Sequence, residues 1–119
     1  MATILLVDDN ADIREAIREL LETDQHRVLE AVDGQEALPR WRAHLPDLLI
    51  TDFWMPRMNG LEVIKAVCAE QPDLPIILMS SGIETHLRRS ILKRFPLVRY
   101  LPKPFPNSQL REYVRASLG

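Results

Sequence analysis

The chain has 119 residues, of which 46% are hydrophobic, 27% charged and 6% aromatic, with a formal net charge of −2. These values suit one globular domain spanning 1–119 with enough apolar material for its own core, and they exclude a nucleic-acid binder that works through overall charge. A single cysteine excludes an intramolecular disulfide; with no apolar run long enough to cross a bilayer and no signal-peptide pattern at Met1-Ala2-Thr3, a cytoplasmic location is expected.

Apolar runs of strand length alternate with longer amphipathic stretches. Thr3–Val7 is a short apolar run and reads as a first strand. Asn10–Thr23 places Ile13, Ala16, Ile17, Leu20 and Leu21 on one helical face. Arg27–Ala31 is a second strand, and Asp33-Gly34-Gln35-Glu36 resembles a capping box opening a second helix. Pro39 inside that helix removes a backbone donor and crowds the preceding turn, so a late start, a kink or a distorted first turn is expected.

Asp47–Thr51 is a third strand, followed by a loop over Asp52–Asn59. Gly60–Gln71 forms a third helix with Leu61, Ile64, Val67 and Cys68 on one face; Cys68 is expected to be a small buried core residue. Pro75–Met79 is a fourth strand, Glu84–Arg94 a fourth helix, Val98–Leu101 a fifth strand and Asn107–Leu118 a closing helix. Five β-α units with continuous apolar strands predict a doubly wound α/β sandwich, a five-stranded parallel sheet covered by helices on both faces.

Ligands of such sheets bind beyond the carboxyl ends of the strands. Asp8 and Asp9 follow the first strand and Asp52 the third; Ser80 and Ser81 end the fourth, and Lys103 follows the fifth. Three clustered carboxylates repel unless a cation or raised pKa values intervene, and a small all-oxygen set suits Mg²⁺. A carboxylate can attack phosphorus to give an aspartyl phosphate, with Mg²⁺, an ammonium and a hydroxyl stabilising the equatorial oxygens.

Four segments carry a family likeness: Leu5-Leu6-Val7-Asp8-Asp9-Asn10, Thr51-Asp52 through Asn59-Gly60, Leu74-Pro75 through Ser80-Ser81, and Tyr100-Leu101-Pro102-Lys103-Pro104-Phe105. Together, in this order and spacing, they resemble the receiver domains of two-component response regulators, the CheY-like family. The resemblance implies a flavodoxin-like fold with strand order 2-1-3-4-5. It implies Asp52 as phosphoacceptor, Asp8 and Asp9 as the acidic pair organising Mg²⁺, and the Trp54 backbone carbonyl as a further metal ligand. Ser80 matches the switch hydroxyl, Lys103 the group that contacts the phosphoryl and the Asp52 carboxylate, and Tyr100 the aromatic that turns inward with the switch. The Lys103–Pro104 bond matches one usually cis in the family. The implied partners are a histidine kinase or a histidine phosphotransfer protein, and the implied protein is a signalling switch rather than an enzyme acting on other molecules.

Three other features bear on function. Trp54 beside Asp52 reads either as an exposed loop aromatic or as a shield of the acyl phosphate against water. Residues 84–119 hold 8 basic and 2 acidic side chains, against 7 and 15 in residues 1–83; Arg88, Arg89, Lys93, Arg94, Arg99, Arg111 and Arg115 form either a solvated face or a docking surface for an acidic partner or a second receiver. Arg94-Phe95-Pro96-Leu97-Val98 replaces the Gly-Ala turn common in the family. Rival readings are weaker. A Mg²⁺-dependent phosphatase of the haloacid-dehalogenase type needs an Asp two residues after its nucleophile, where Trp54 and Asn10 stand; a nucleotide module would show a Gly-rich loop. A receiver-like interaction module that is never phosphorylated is the remaining alternative. His26, His44 and His86 have no ligand spacing, and Ser81 reads as structural.

Overall fold

The computed structural model describes residues 1–119 and contains five β-α units. They are β1 (Thr3–Val7), α1 (Ala11–Thr23), β2 (Arg27–Ala31), α2 (Gly34–His44), β3 (Leu48–Asp52), α3 (Gly60–Glu70), β4 (Ile76–Ser80), α4 (Thr85–Arg94), β5 (Val98–Pro102) and α5 (Asn107–Leu118). The strands form one parallel sheet in the order β2-β1-β3-β4-β5. The expected doubly wound, flavodoxin-like architecture is present.

The sheet separates two cores. α2, α3 and α4 cover Leu5, Val7, Leu49, Ile76 and Leu78 on one face. α1 and α5 cover Ile4, Leu6, Ile50, Ile77 and Met79 on the other, contributing Ile17, Leu20, Leu21, Leu110 and Val114. Because alternate residues of each central strand enter opposite cores, β1 is apolar over Ile4–Val7, β3 over Leu48–Ile50 and β4 over Ile76–Met79.

Several local expectations are corrected. β3 and β4 lie one residue later than the apolar pattern suggested, so Asp52 and Ser80 are terminal strand residues. Their pairing with Met79 and Pro102 decides this. The buried face of α3 is Gly60, Val63, Ile64 and Val67; Leu61 and Cys68 lie half-buried on its flanks. Ala16 is exposed on the flank of α1. α2 does not start late: Asp33 caps it, accepting from the Glu36 N–H at 2.9 Å, and the helix runs through Pro39 to His44. The carbonyl that Pro39 leaves without a donor belongs to exposed Gln35, where water can replace the lost bond. The capping box there is half formed, since Glu36 turns to Arg40 at 3.5 Å. A full box closes instead on α3, between Asn59 and Glu62.

Two features fix the loop after β3. Gly60 donates its N–H to the Phe53 carbonyl at 2.8 Å. A Cβ on Gly60 would stand 2.6 Å from the Asp52 carbonyl oxygen and 2.9 Å from the Phe53 Cα, which only glycine avoids. Arg57 adopts a left-handed φ of 69°, and its guanidinium meets the Asp33 carboxylate at 2.5 Å. That hydrogen bond holds Asp33 below the ordinary carboxylate pKa and ties the loop to the start of α2. The turn after α4 needs no left-handed residue: the Val98 N–H donates to the Phe95 carbonyl at 3.0 Å, and Phe95 keeps φ at −121°. The absent Gly-Ala pair is therefore not missed.

Candidate functional site

The carboxyl end of the sheet gathers Asp8, Asp9, Asp52, Ser80 and Lys103. β1 delivers Asp8, which is 1% exposed, and the next residue, Asp9, is exposed. The Asp8 carboxylate accepts from the Asn10 N–H at 2.9 Å, and its carbonyl accepts from Arg14 at 2.7 Å. Asn10 caps α1 through the N–H groups of Asp12 and Ile13. This turn thus fixes Asp8 and the start of α1 together.

Asp52 is 6% exposed at the end of β3. One oxygen from each of Asp8, Asp9 and Asp52 lies within 4.8 Å of the others. Lys103 supplies the only ammonium in contact with this cluster. Its Nζ lies 2.8 Å from Asp8 and 3.4 Å from Asp52. The expected Lys103–Asp52 contact exists, but Asp8 is the nearer partner. The Lys103 N–H donates to the Ser80 carbonyl at 2.8 Å, extending the β4–β5 ladder and locking the lysine's register. The Lys103–Pro104 peptide bond is cis.

Burial pushes the Asp52 carboxyl up from 3.8 to about 6; Asp8 adds to this rise and Lys103 opposes it. Asp52 is thus mostly ionised at neutral pH and becomes protonated in mild acid. Burial alone would lower the Lys103 ammonium, yet the Asp8 hydrogen bond and the two carboxylates outweigh it and hold it above its ordinary value. Three carboxylates against one ammonium leave an excess of two negative charges, which fits one hard divalent cation.

Ser80 is fully buried, and its hydroxyl accepts from the Gly82 N–H at 3.0 Å. Ser81 is exposed. Tyr100 on β5 is half-buried, its hydroxyl 3.5 Å from the Ser80 carbonyl. The Arg88 guanidinium lies over the Tyr100 ring at 5.4 Å. Trp54 is 56% exposed, yet it is tethered: its indole N–H donates to the Gly82 carbonyl at 2.7 Å, and its ring meets Phe53 edge-on. The Trp54 backbone carbonyl accepts no hydrogen bond from the chain.

The description "response regulator receiver domain" belongs to the family whose pattern matches residues 4–115. The chain belongs to the response regulator receiver domains. Response regulator MprA of Mycobacterium avium (strain 104) is 37% identical over 120 residues, covering 97% of this chain and 50% of that protein. MprA of Mycobacterium tuberculosis (strain ATCC 25177 / H37Ra) shows the same figures. The chain thus spans about half the length of the curated relatives it matches. Among solved structures, chemotaxis protein CheY4 of Vibrio cholerae superposes with a TM-score of 0.91 at 30% identity, covering 99% of both chains. A response regulator receiver domain from Clostridium thermocellum gives 0.87 at 27% identity, covering 99% of this chain and 94% of that one.

The receiver brings Asp8, Asp9, Asp52, Ser80 and Lys103 to one end of the sheet, with Tyr100 further back on β5. Two others were not foreseen as part of the site. Gly82, which holds both Ser80 and Trp54, lies two residues past β4, within the region where strand-end reasoning looks for ligands. Arg88 was seen as one surface charge among several; no local pattern pairs it with Tyr100. Beside Lys103, a cleft of about 280 Å³ is lined by Ile13, Ala16, Ile17, Pro104 and Phe105. No helix of the receiver is long and apolar enough to cross a membrane.

Proposed function

We propose that residues 1–119 form a single phosphoacceptor receiver that takes a phosphoryl group on Asp52 from a histidine kinase or phosphotransfer protein. The observation that carries this reading is the convergence of ionisable Asp52 with Asp8, Asp9, Lys103 and Ser80 at the carboxyl end of the sheet. An Asp52 oxygen attacks phosphorus as the P–N bond of phosphohistidine breaks, and the released electron pair and a proton go to the leaving imidazole. Lys103 stays beside the transferred group. Ser80, whose oxygen accepts from the Gly82 N–H, turns its O–H to donate to the new anion, and Tyr100, already against the Ser80 carbonyl, carries that movement to α4. This couples one local charge event to a two-state surface.

Asp8, Asp9, Asp52 and the free Trp54 carbonyl are the groups that would hold Mg²⁺. When bound, the ion supplies charge neutralisation for the transferring phosphoryl. The apolar cleft beside Lys103 suits a helix of the phosphodonor, since it adjoins the reacting end of the sheet. This reading makes the receiver a cytoplasmic switch whose only catalysis is of its own phosphorylation and hydrolysis.

The test is intact mass after incubation with Mg²⁺ and either acetyl phosphate or a phosphorylated histidine kinase. One phosphoryl group should be gained, and lost with Asp52→Asn or with chelator. No gain from either donor would shift the reading to an interaction module that works unphosphorylated.

Trp54 closes one side of the site through Gly82. Trp54→Ala should shorten the lifetime of the phosphorylated receiver about three- to tenfold by admitting water. Trp54→Phe separates two causes: a lifetime close to that of the native protein assigns the effect to ring bulk, and an Ala-like lifetime assigns it to the indole N–H bond. An unchanged lifetime in Trp54→Ala would refute both.

A further inference from the structure

The loop between β3 and α3 carries the Trp54 carbonyl. Its base is closed by the Gly60 N–H on the Phe53 carbonyl, and the Trp54 indole is tied to the Gly82 carbonyl. Its far side is tied to the start of α2, where Arg57 meets Asp33. Asp33 is 4% exposed, and its oxygens have separate partners: Oδ1 accepts from the Glu36 N–H and Oδ2 from the Arg57 guanidinium. It is a buried carboxylate just past the end of β2 that lies outside the Asp8, Asp9 and Asp52 cluster. No step of the phosphoryl transfer uses it.

Arg57 is held in a backbone shape that an arginine does not adopt freely. Three non-glycine residues have positive φ. Gln25 and Leu45 stand where α1 and α2 end, a common place for such a residue. Arg57 ends no helix. Around it the Met58 N–H donates to the Pro56 carbonyl at 2.7 Å. With φ at 69°, that bond closes a tight three-residue turn of the rare, strained kind. Such conformations persist only where the surroundings over-determine them. Two contacts do so here, both at the first turn of α2. One is the Arg57–Asp33 bond. The other is the Met58 side chain, which fills the space in front of Gly34: a Cβ there would stand 2.7 Å from the Met58 sulfur.

We infer that Arg57 is a positioning residue for Mg²⁺, its bond to Asp33 keeping the β3–α3 loop in the shape that offers the Trp54 carbonyl to the ion. This rests on the phosphoacceptor reading. Asp8 and Asp52 are set by β1 and β3, but the Trp54 carbonyl depends on the course of the loop. The Gly82 tether fixes the Trp54 ring and leaves its carbonyl free to swing if the turn at Arg57 relaxes. The sign of the effect separates a clamp from charge alone. Acting through space, loss of the Arg57 cation would tighten Mg²⁺ binding and loss of the Asp33 anion would weaken it. Acting as a clamp, either loss weakens it.

The experiment titrates Mg²⁺ into the isotope-labelled full chain, followed at its amide NMR signals. Arg57→Ala and Asp33→Asn should each weaken binding about tenfold, the low end for groups that orient a metal ligand. Asparagine still caps a helix, so α2 keeps its start. The double variant should bind no more than about twofold worse than either single one, because all three lack the same contact. Arg42→Ala cuts an exposed link between α2 and α3 and removes the same charge; it should change affinity less than about twofold. Without metal, the Gly60 amide should exchange with solvent at least about tenfold faster in Arg57→Ala and in Asp33→Asn, because the loop opens more often. Tighter binding by Arg57→Ala, native affinity in either single variant, fully additive losses in the double variant, or native exchange at Gly60 would each overturn the proposal. Intact mass with acetyl phosphate on the same samples separates the two readings. A native chain that neither binds Mg²⁺ nor takes a phosphoryl group defeats the phosphoacceptor reading and the clamp with it. A native chain that does both, beside variants that bind Mg²⁺ equally well, defeats the clamp alone.

Discussion

Lys103→Met should slow phosphorylation by acetyl phosphate about 10²–10³-fold, the range expected when one preorganised donor to a developing anion is removed. Methionine keeps most of the unbranched apolar stem of lysine and removes the ammonium, its charge and its N–H donors together. The same substitution leaves Asp8 and Asp52 facing each other, buried and without their ammonium. Removing one partner of a buried ion pair costs about 3–5 kcal/mol, and urea unfolding of the metal-free protein should show a loss near the lower end, because Asp52 can protonate. Added Mg²⁺ should restore much of that stability by mass action on the folded state without restoring the rate. A variant phosphorylated at the native rate would mean that Lys103 does not face the transferring group.

Asp52→Asn should make the metal-free protein more stable at pH 7.5 while abolishing phosphorylation. Burial raises the folded-state pKa of Asp52 to about 6, above its ordinary 3.8. Between these values the folded chain keeps a proton that the unfolded chain has released. Folding stability from this group is therefore complete below pH about 4 and is lost as pH rises through 6. A shift of this size corresponds to at most about 3 kcal/mol, and about 1–2 kcal/mol remains once solvent at the open side of the site is allowed for. The advantage of Asp52→Asn should vanish near pH 4. Excess Mg²⁺ should reverse the order at pH 7.5, since the native cluster binds the ion better, and Mg²⁺ affinity should fall as pH drops below 6. If Asp52→Asn is the less stable protein at pH 7.5 without metal, attraction to Lys103 outweighs burial.

The two effects share one cause. Asp52 is buried beside Asp8 and Asp9, so its negative charge is costly there until a proton, Lys103 or a cation offsets it. The two apolar cores lie on either side of the sheet and contain none of these charged groups.

Much of this was legible in the order of residues. Short apolar runs such as Ile4–Val7 and Leu48–Ile50, alternating with longer amphipathic stretches, read as strands buried on both faces, and the helices between them favour a parallel sheet. Once the sheet is parallel, Asp8, Asp52, Ser80 and Lys103 must share its carboxyl end, because each stands at or just past the end of its strand. The helical faces were less certain. Leu61 and Val63 both fit an amphipathic α3, and the loop closure at Gly60 selects the face that buries Val63. Pro39 does not delay the start of α2: the carbonyl it orphans belongs to exposed Gln35, and exposure is a tertiary property.

The sequence by itself determined the strand and helix order, the sheet class and the convergence of the acidic and basic residues, because these follow from periodicity and chain direction. Tertiary structure alone decided the pairings: Lys103 nearer Asp8 than Asp52, Trp54 on Gly82, Arg57 on Asp33, and Arg88 over Tyr100. Apart from the last, these join residues 24 to 95 positions apart, and Arg88 reaches Tyr100 across the turn from α4 to β5. Distance along the chain carries no record of such contacts. They are set by which loops the twisted sheet brings together, and by which charges the packed cores leave without water.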